Sequence, residues 1–309
     1  MAFLIGILAG IGLPFQTSVN TRLKGRTGNP FYASLISFCV GLAFLILLLP
    51  LTGQDVAIPF DTMAGEPPWI YAGGICGVIF LTCNIILFPK IGGIRTAILP
   101  VLGQITMSII IDSLGLFRCA VTPLTVWRVA GAVMVFAGVM VVSLARTGNE
   151  KSPAGRSKVL LLLQILGVGA GMLSAVQTAV NGYLGRLIES PLKSTVVSFS
   201  VGVILLVVIC VIIAVRKKVL HSESEGKRGG PWWMWTGGIL GGLYVFANVN
   251  LYQTLGTGLT VVIVLTGTVA GGLIIDHFGL FGTPVKKITA RKIAGVALMI
   301  AGAALIKLL

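Results

Sequence analysis

Residues 15–41 read FQTSVNTRLKGRTGNPFYASLISFCVG, and residues 176–202 read VQTAVNGYLGRLIESPLKSTVVSFSVG. Laid over one another at a constant offset of 161, without a gap, they match Gln16 to Gln177, Thr17 to Thr178, Val19 to Val180, Asn20 to Asn181 and Leu23 to Leu184. The match continues through Pro30 and Pro191, Ser37 and Ser198, Phe38 and Phe199, and Gly41 and Gly202. Further along the offset becomes 164, and Trp69, Gly73, Gly74, Gly77, Asn84, Gly92 and Gly103 meet Trp233, Gly237, Gly238, Gly241, Asn248, Gly256 and Gly267. At the same offset IIDSLGLF (110–117) meets IIDHFGLF (274–281). Small residues alone would recur by chance in any apolar chain. Polar residues held at two constant offsets would not, so the chain reads as an internal duplication.

The surroundings of these motifs define the solvent. Hydrophobic residues make up 56% of the chain and charged residues 10%, against about 25% charged in an ordinary soluble domain. The mean hydropathy is +1.00. Apolar runs near the roughly 20 residues that cross a bilayer as a helix fall at 2–20, 31–51, 69–88, 94–112 and 125–145, then at 158–181, 192–215, 232–252, 258–276 and 290–308. The expected fold is therefore an all-α integral membrane protein of ten transmembrane helices. Residues 1–146 form one five-helix unit, 147–157 a polar linker, and 158–309 a second unit. The 23 Lys and Arg against 9 Asp and Glu would suit nucleic acid, but the cations lie in short segments between apolar runs, which is the pattern of loops facing anionic lipid. Of the five cysteines, Cys39, Cys76, Cys83 and Cys210 fall inside apolar runs without a CxxC pair, and read as small buried hydrophobes. The first run lacks a basic segment ahead of it and reads as a retained helix rather than a cleaved signal.

Five helices is an odd number, so the second unit must enter the membrane from the opposite side, which makes an inverted repeat. The loops after the odd-numbered spans hold eighteen of the Lys and Arg residues and the opposite side five. The positive-inside bias then places both termini outside the cytoplasm.

A first helix carrying QTxVN, followed by Pro, SFxVG and a later IIDxxGLF, resembles the YdcZ-like branch of the drug/metabolite transporter superfamily. The resemblance covers nearly the whole chain and corresponds to the fused form of two five-helix units. It implies a secondary transporter of the bacterial inner membrane, with two intertwined inverted bundles around a central cavity and the last helix of each half at the periphery. Small multidrug members of the superfamily exchange drug cations for protons through a glutamate in the first helix. This chain offers Gln16 there, which argues against both cationic drugs and carboxylate coupling at that position.

Side-chain amides turned toward lipid would leave donors and acceptors unpaired in hydrocarbon, at several kcal/mol each. Gln16 and Asn20, and Gln177 and Asn181, are each spaced i, i+4 and share a helix face. They are expected to point inward, either lining a cavity or bonding neighbouring helices. The asparagines fall near the ends of their runs, where capping is the alternative. Asn84 and Asn248 lie deep in the third and eighth spans, with Thr82 and Asn250 nearby. Gln104 has Thr268 as its partner, polar in both copies but not identical. These eight residues (Gln16, Asn20, Asn84, Gln104, Gln177, Asn181, Asn248 and Thr268) are the candidates for a substrate cavity. Asp112 and Asp276 are the acids near a span that both halves share, and intramembrane acids are proton-relay candidates by default. Each also lies at a helix end before a Gly-Leu-Phe turn, where a carboxylate bonding backbone amides is the plainer reading. Gly73, Gly74 and Gly77 and their copies read as small faces for close packing. Pro14 and Pro100 have no proline partner and are expected to bend their helices.

These residues favour a secondary transporter of a small polar metabolite or drug-like molecule, working by alternating access in the inner membrane. The expected partners are that solute and the lipid bilayer, not nucleic acid. No P-loop, HExxH, GxSxG or metal-ligand spacing occurs, so no cofactor, metal or ATPase activity is expected. An integral-membrane enzyme, or a lipid-handling or assembly protein, is the alternative. Either a monomer or a homodimer is compatible with a fused pair.

Overall fold

The computed structural model describes residues 2–144, 156–220, 230–283, 285 and 288–308. Among them the chain forms α1 (Ala2–Thr27), α2 (Pro30–Leu51), a one-turn α3 (Phe60–Met63), α4 (Ala72–Ile91), α5 (Gly93–Leu114) and α6 (Val126–Leu144). The second half contains α7 (Arg156–Leu187), α8 (Pro191–Leu220), α9 (Gly237–Phe278) and α10 (Ala290–Leu308). Among the described residues six segments are long and apolar enough to cross a bilayer: Ala2–Thr27, Pro30–Leu51, Pro68–Ile91, Arg95–Leu114, Lys158–Leu187 and Pro191–Arg216. Val126–Val142 and Ile263–Phe278 are shorter apolar helices. Large apolar side chains such as Leu47, Phe136, Leu162, Ile204 and Val208 cover the outside, as a hydrocarbon solvent requires. The expected linker at 147–157 lies outside the described residues up to 155.

Local chemistry explains the shared motifs. Gly28 (φ 70°) ends α1, and Asn29 caps α2 by accepting the Phe31 amide at 2.8 Å, with Pro30 in the first turn. In the second copy Glu189 takes the positive φ (50°), Ser190 accepts the Lys193 amide at 3.1 Å, and Pro191 opens α8. Each GLF sequence terminates a helix. Gly115 and Gly279 both adopt φ 62°, the left-handed cap that glycine fills without strain. Phe117 and Phe281 then turn their rings edge-on to Trp69 and Trp233 at 5.4 and 5.3 Å.

The two halves are not separate lobes. The most extensive packing of α1 is with α9 and that of α7 with α5 and α4, while α6 and α10, the last helix of each half, pair with each other. Glycine makes these seams possible. A Cβ added to Gly10 would lie 2.1 Å from the Val264 carbonyl oxygen, and one on its counterpart Gly171 would lie 1.9 Å from that of Pro100. Gly267 and Gly103 stand in the same relation to the carbonyls of Ile7 and Val168, at 2.1 and 1.9 Å. Every one of these contacts recurs at the offsets of the sequence match, with the halves exchanged. Such reciprocity marks an approximate two-fold relation. Phe38 and Phe199, equivalent residues, touch one another with ring centroids 4.8 Å apart, so the axis passes between them.

Three expectations need correction. The helices α1 and α7 run on to Thr27 and Leu187, so Asn20 and Asn181 sit well inside helices rather than at capping positions. The spans expected at 232–252 and 258–276 form one helical run, α9, whereas the corresponding α4 and α5 are broken at Gly92 (φ 85°). Pro89 removes a backbone donor three residues before that break, and its counterpart Gln253 restores it. The α9 run is nonetheless not straight: Tyr244 and Val264 line one small cavity, although a straight helix would hold them about 30 Å apart. Finally, Cys39 and Asn250 are exposed, so neither is a buried residue of the interior.

Candidate functional site

The glutamine–asparagine pairs face glycine pairs of the opposite half. A Cβ on Gly73 would lie 2.0 Å from Asn181 Oδ1 and one on Gly77 2.6 Å from Gln177 Nε2, while Gly237 and Gly241 meet Asn20 Oδ1 and Gln16 Nε2 at 2.2 and 2.3 Å. The QxxxN face of one half is thus seated on the GxxxG face of the other. Asn20 Nδ2 donates to Ser37 Oγ at 3.0 Å and Asn181 Nδ2 to Ser198 Oγ at 3.1 Å. Their Oδ1 atoms are buried without a hydrogen-bond partner and lie against glycine Cα groups, which offer weak C–H donors. These asparagines are therefore packed between helices.

The glutamines differ. Gln16 and Gln177 are 6% and 5% exposed, and both line one central chamber with Phe38, Phe199, Phe80 and Tyr244. Neither amide makes a hydrogen bond to another described residue, and each amide nitrogen lies against a glycine, Gly241 or Gly77, that also lines the chamber.

Two further cavities adjoin this chamber. The first is lined by Leu13, Pro14 and Thr17 of α1, Phe80, Asn84 and Phe88 of α4, Thr96, Ala97, Pro100, Val101 and Gln104 of α5, and Thr268. The second is lined by Ser174, Ala175, Thr178 and Ala179 of α7, Gln104, Ser108, Ile111 and Asp112 of α5, and Tyr244, Asn248, Tyr252, Thr260, Val261 and Val264 of α9. Leu13 and Phe80 are shared between the first cavity and the chamber, and Tyr244 between the second and the chamber. Gln104 lines both outer cavities, Thr96 only the first and Asp112 only the second. Thr96 and Asp112 are about 24 Å apart along α5, so the cavities are stacked along that helix. Free volumes are about 10, 30 and 40 Å³ for the first cavity, the chamber and the second, room for a few waters at most.

Hydrogen bonding concentrates in the second cavity. Gln104 Nε2 donates to Ser174 Oγ at 3.0 Å, and Asn248 Nδ2 to the Tyr244 carbonyl at 2.8 Å. The Tyr244 hydroxyl lies within reach of the Gln104, Ser174 and Asn248 side chains. Tyr252 meets Cys119 Sγ at 3.3 Å and carries the Arg186 guanidinium 5.2 Å above its ring. Asp112 is paired through Oδ2 with Arg128 Nη2 at 3.0 Å, and both side chains are buried, at 5% and 3% exposure. Arg128 also donates to the Thr122 and Pro123 carbonyls. The carboxylate therefore has a fixed cation from α6. Asp276 and Lys292 take the corresponding positions at offset 164 and are likewise buried. In the first cavity Thr268 Oγ1 bonds back to the Val264 carbonyl at 2.9 Å, and Asn84 Oδ1 is buried without a partner.

Of the ten residues singled out by sequence, the structure brings Gln16 and Gln177 into the chamber, Asn84 and Thr268 into the first cavity, Asn248 and Asp112 into the second, and Gln104 into both. Asn20, Asn181 and Asp276 line none of the three. Tyr244, Tyr252, Ser174 and Arg128 were not singled out. A signal for the tyrosines was present: Phe80-Asn84-Phe88 and Tyr244-Asn248-Tyr252 are both aromatic–Asn–aromatic ladders at i, i+4 and i+8, matched at offset 164.

The apolar exterior, long helices and interior polar cavities define an integral-membrane helical protein. A crystal structure that is 17% identical covers 99% of this chain and 96% of its own at a TM-score of 0.60, so the fold is one already seen. Residues 1–141, and then 162–305, match the family described as "Putative inner membrane exporter, YdcZ", and the chain belongs to that family. The inner membrane protein YdcZ of Escherichia coli (strain K12) is 27% identical over 139 residues, spanning 45% of this chain and 90% of its own. The chain is a multi-pass protein of the inner membrane.

Proposed function

We propose that this chain exports a small polar solute by alternating access. In this reading residues 1–146 and 158–309 are two five-helix units, joined by 147–157 and inserted in opposite senses, with both termini outside the cytoplasm. The units rock about the chamber holding Gln16 and Gln177, and open the first cavity toward the cytoplasm and the second toward the opposite side in turn. The observation that carries the reading is the stack of cavities along α5, with two unbonded glutamine amides at its centre. The glycine seams support the rocking, since smooth faces let helices slide without side chains interlocking. The role is transport rather than catalysis, and the family description supports an exporter.

Counterflow in liposomes tests this. Protein reconstituted with a cell metabolite extract inside should accumulate at least one labelled solute against dilution. Gln16→Ala with Gln177→Ala should abolish the accumulation while leaving the melting temperature within a few degrees. If that pair lowers the melting temperature and leaves counterflow intact in the surviving protein, the glutamines only join helices and the site is misassigned.

A further inference from the structure

The two outer cavities are homologous, yet three aligned positions differ in hydrogen-bonding capacity. Where the first has Leu13, Phe80 and Phe88, the second has Ser174, Tyr244 and Tyr252. Nothing in a duplication requires these three changes to favour one side. The tyrosine hydroxyls flank Asn248, and a single face of α9 carries ring, amide and ring at spacings of about 6 Å. The charge balance is equally specific. Asp112 is the one ionisable acid among the lining residues of the second cavity, and its Oδ2 is held by Arg128. Arg186 lies over the outer ring, that of Tyr252. A cationic solute would have to displace Arg128 and pass Arg186. An anionic one would meet Asp112. Ile111, Val261 and Val264 leave the remaining wall apolar.

We propose that the second cavity is the recognition station of the transporter, and that it selects an uncharged, ring-bearing solute with a hydrogen-bonding edge, of which an aromatic carboxamide is the model. This assignment rests on the transport reading above. The solute's ring stacks on Tyr244 or Tyr252, which is favourable for an offset or edge-on aromatic pair. Its amide is read by the Asn248 amide and the Tyr244 hydroxyl. The first cavity offers the same ladder without hydroxyls and passes the solute with weak affinity.

Equilibrium dialysis of the purified full-length protein against labelled nicotinamide and benzamide tests the station, with nicotinate as the anionic comparison and benzyltrimethylammonium as the cationic one. The two neutral amides should bind saturably and the charged compounds at least tenfold more weakly. Tyr244→Phe with Tyr252→Phe should weaken amide binding at least tenfold. If the tyrosine pair does not fold, Asn248→Ser serves, with the same tenfold loss expected. Absent saturable binding of both amides, equal binding of charged and neutral rings, or unchanged affinity in these variants would overturn the assignment. The transport reading fails separately. Saturable amide binding without counterflow would remove transport and leave the station, whereas counterflow of another metabolite, indifferent to Tyr244 and Tyr252, would remove the station and leave transport.

Discussion

The cavity beside Pro100 and the cavity beside Asp112 are built from equivalent positions of two matched halves, and they differ in what their walls can bond. The backbone around them is held by the same reciprocal glycine contacts. The lining is free to change because it touches free volume rather than a seam. The lesson is that packing preserves the symmetry of a duplicated chain, while function is written in its departures from symmetry. Substitutions at seams should therefore act equally on both sides, and substitutions in the linings unequally.

The largest effect belongs to the seams. Gly10→Val and Gly171→Val each push a branched side chain against a carbonyl that leaves about 2 Å for a Cβ. Overpacking typically costs about 1–3 kcal/mol when neighbours yield, and here the obstacle is backbone. Both variants should lose the monodisperse peak in fluorescence-detected size exclusion. A protein that tolerates one and not the other would break the symmetry argument.

Next comes the ion pair behind the second cavity. Arg128→Leu leaves Asp112 buried without its guanidinium, and removing one partner of a buried pair typically costs about 3–5 kcal/mol. Thermal melts should show a large drop for Arg128→Leu, and a smaller one for Arg128→Leu combined with Asp112→Leu, which removes both charges together. If the double variant is worse than the single, the pair is not what holds α5 to α6.

A smaller effect separates the two asparagines. Asn248→Leu removes an amide from the polar wall and should reduce counterflow about tenfold, equivalent to about 1.4 kcal/mol. Asn84→Leu removes an amide whose oxygen is already unbonded, and should leave the melting temperature unchanged or raise it, since an unsatisfied buried acceptor is itself unfavourable. Equal losses in both would mean that the cavities share the solute evenly.

Much of this was legible in the sequence because it depended on repetition. Gln16 and Gln177 announced themselves as polar residues in apolar runs, matched at one offset, and the glycines that seat them were matched at another. What stayed hidden needed three dimensions. Arg128 stands in a short loop-adjacent helix where a cation looks like topology rather than the counter-ion of Asp112. Tyr244 and Tyr252 look like membrane aromatics until the fold turns their face of α9, with Asn248 between them, toward a cavity. Asn20 looked like a cap because the apolar run stops at Val19, but the helix continues for a further turn and more through Arg22, Lys24 and Arg26, whose apolar stems tolerate the interface.

The smallest expected effect is also the sharpest test of the asymmetry. Phe80→Tyr gives the first cavity the hydroxyl that Tyr244 supplies to the second. Asn84 follows it by one turn on the same face of α4, with an oxygen that lacks a donor. A hydroxyl reaching that oxygen contributes about 1 kcal/mol, enough to raise the melting temperature by a degree or two. If position 80 lacks a hydroxyl only because nothing selects for affinity there, the variant should be more stable and transport as before. If the missing hydroxyl is needed for the solute to move on, stability should rise while counterflow falls, because the solute now has two comparable stations along α5. A variant with neither change would mean that residue 80 faces away from Asn84 in the working protein.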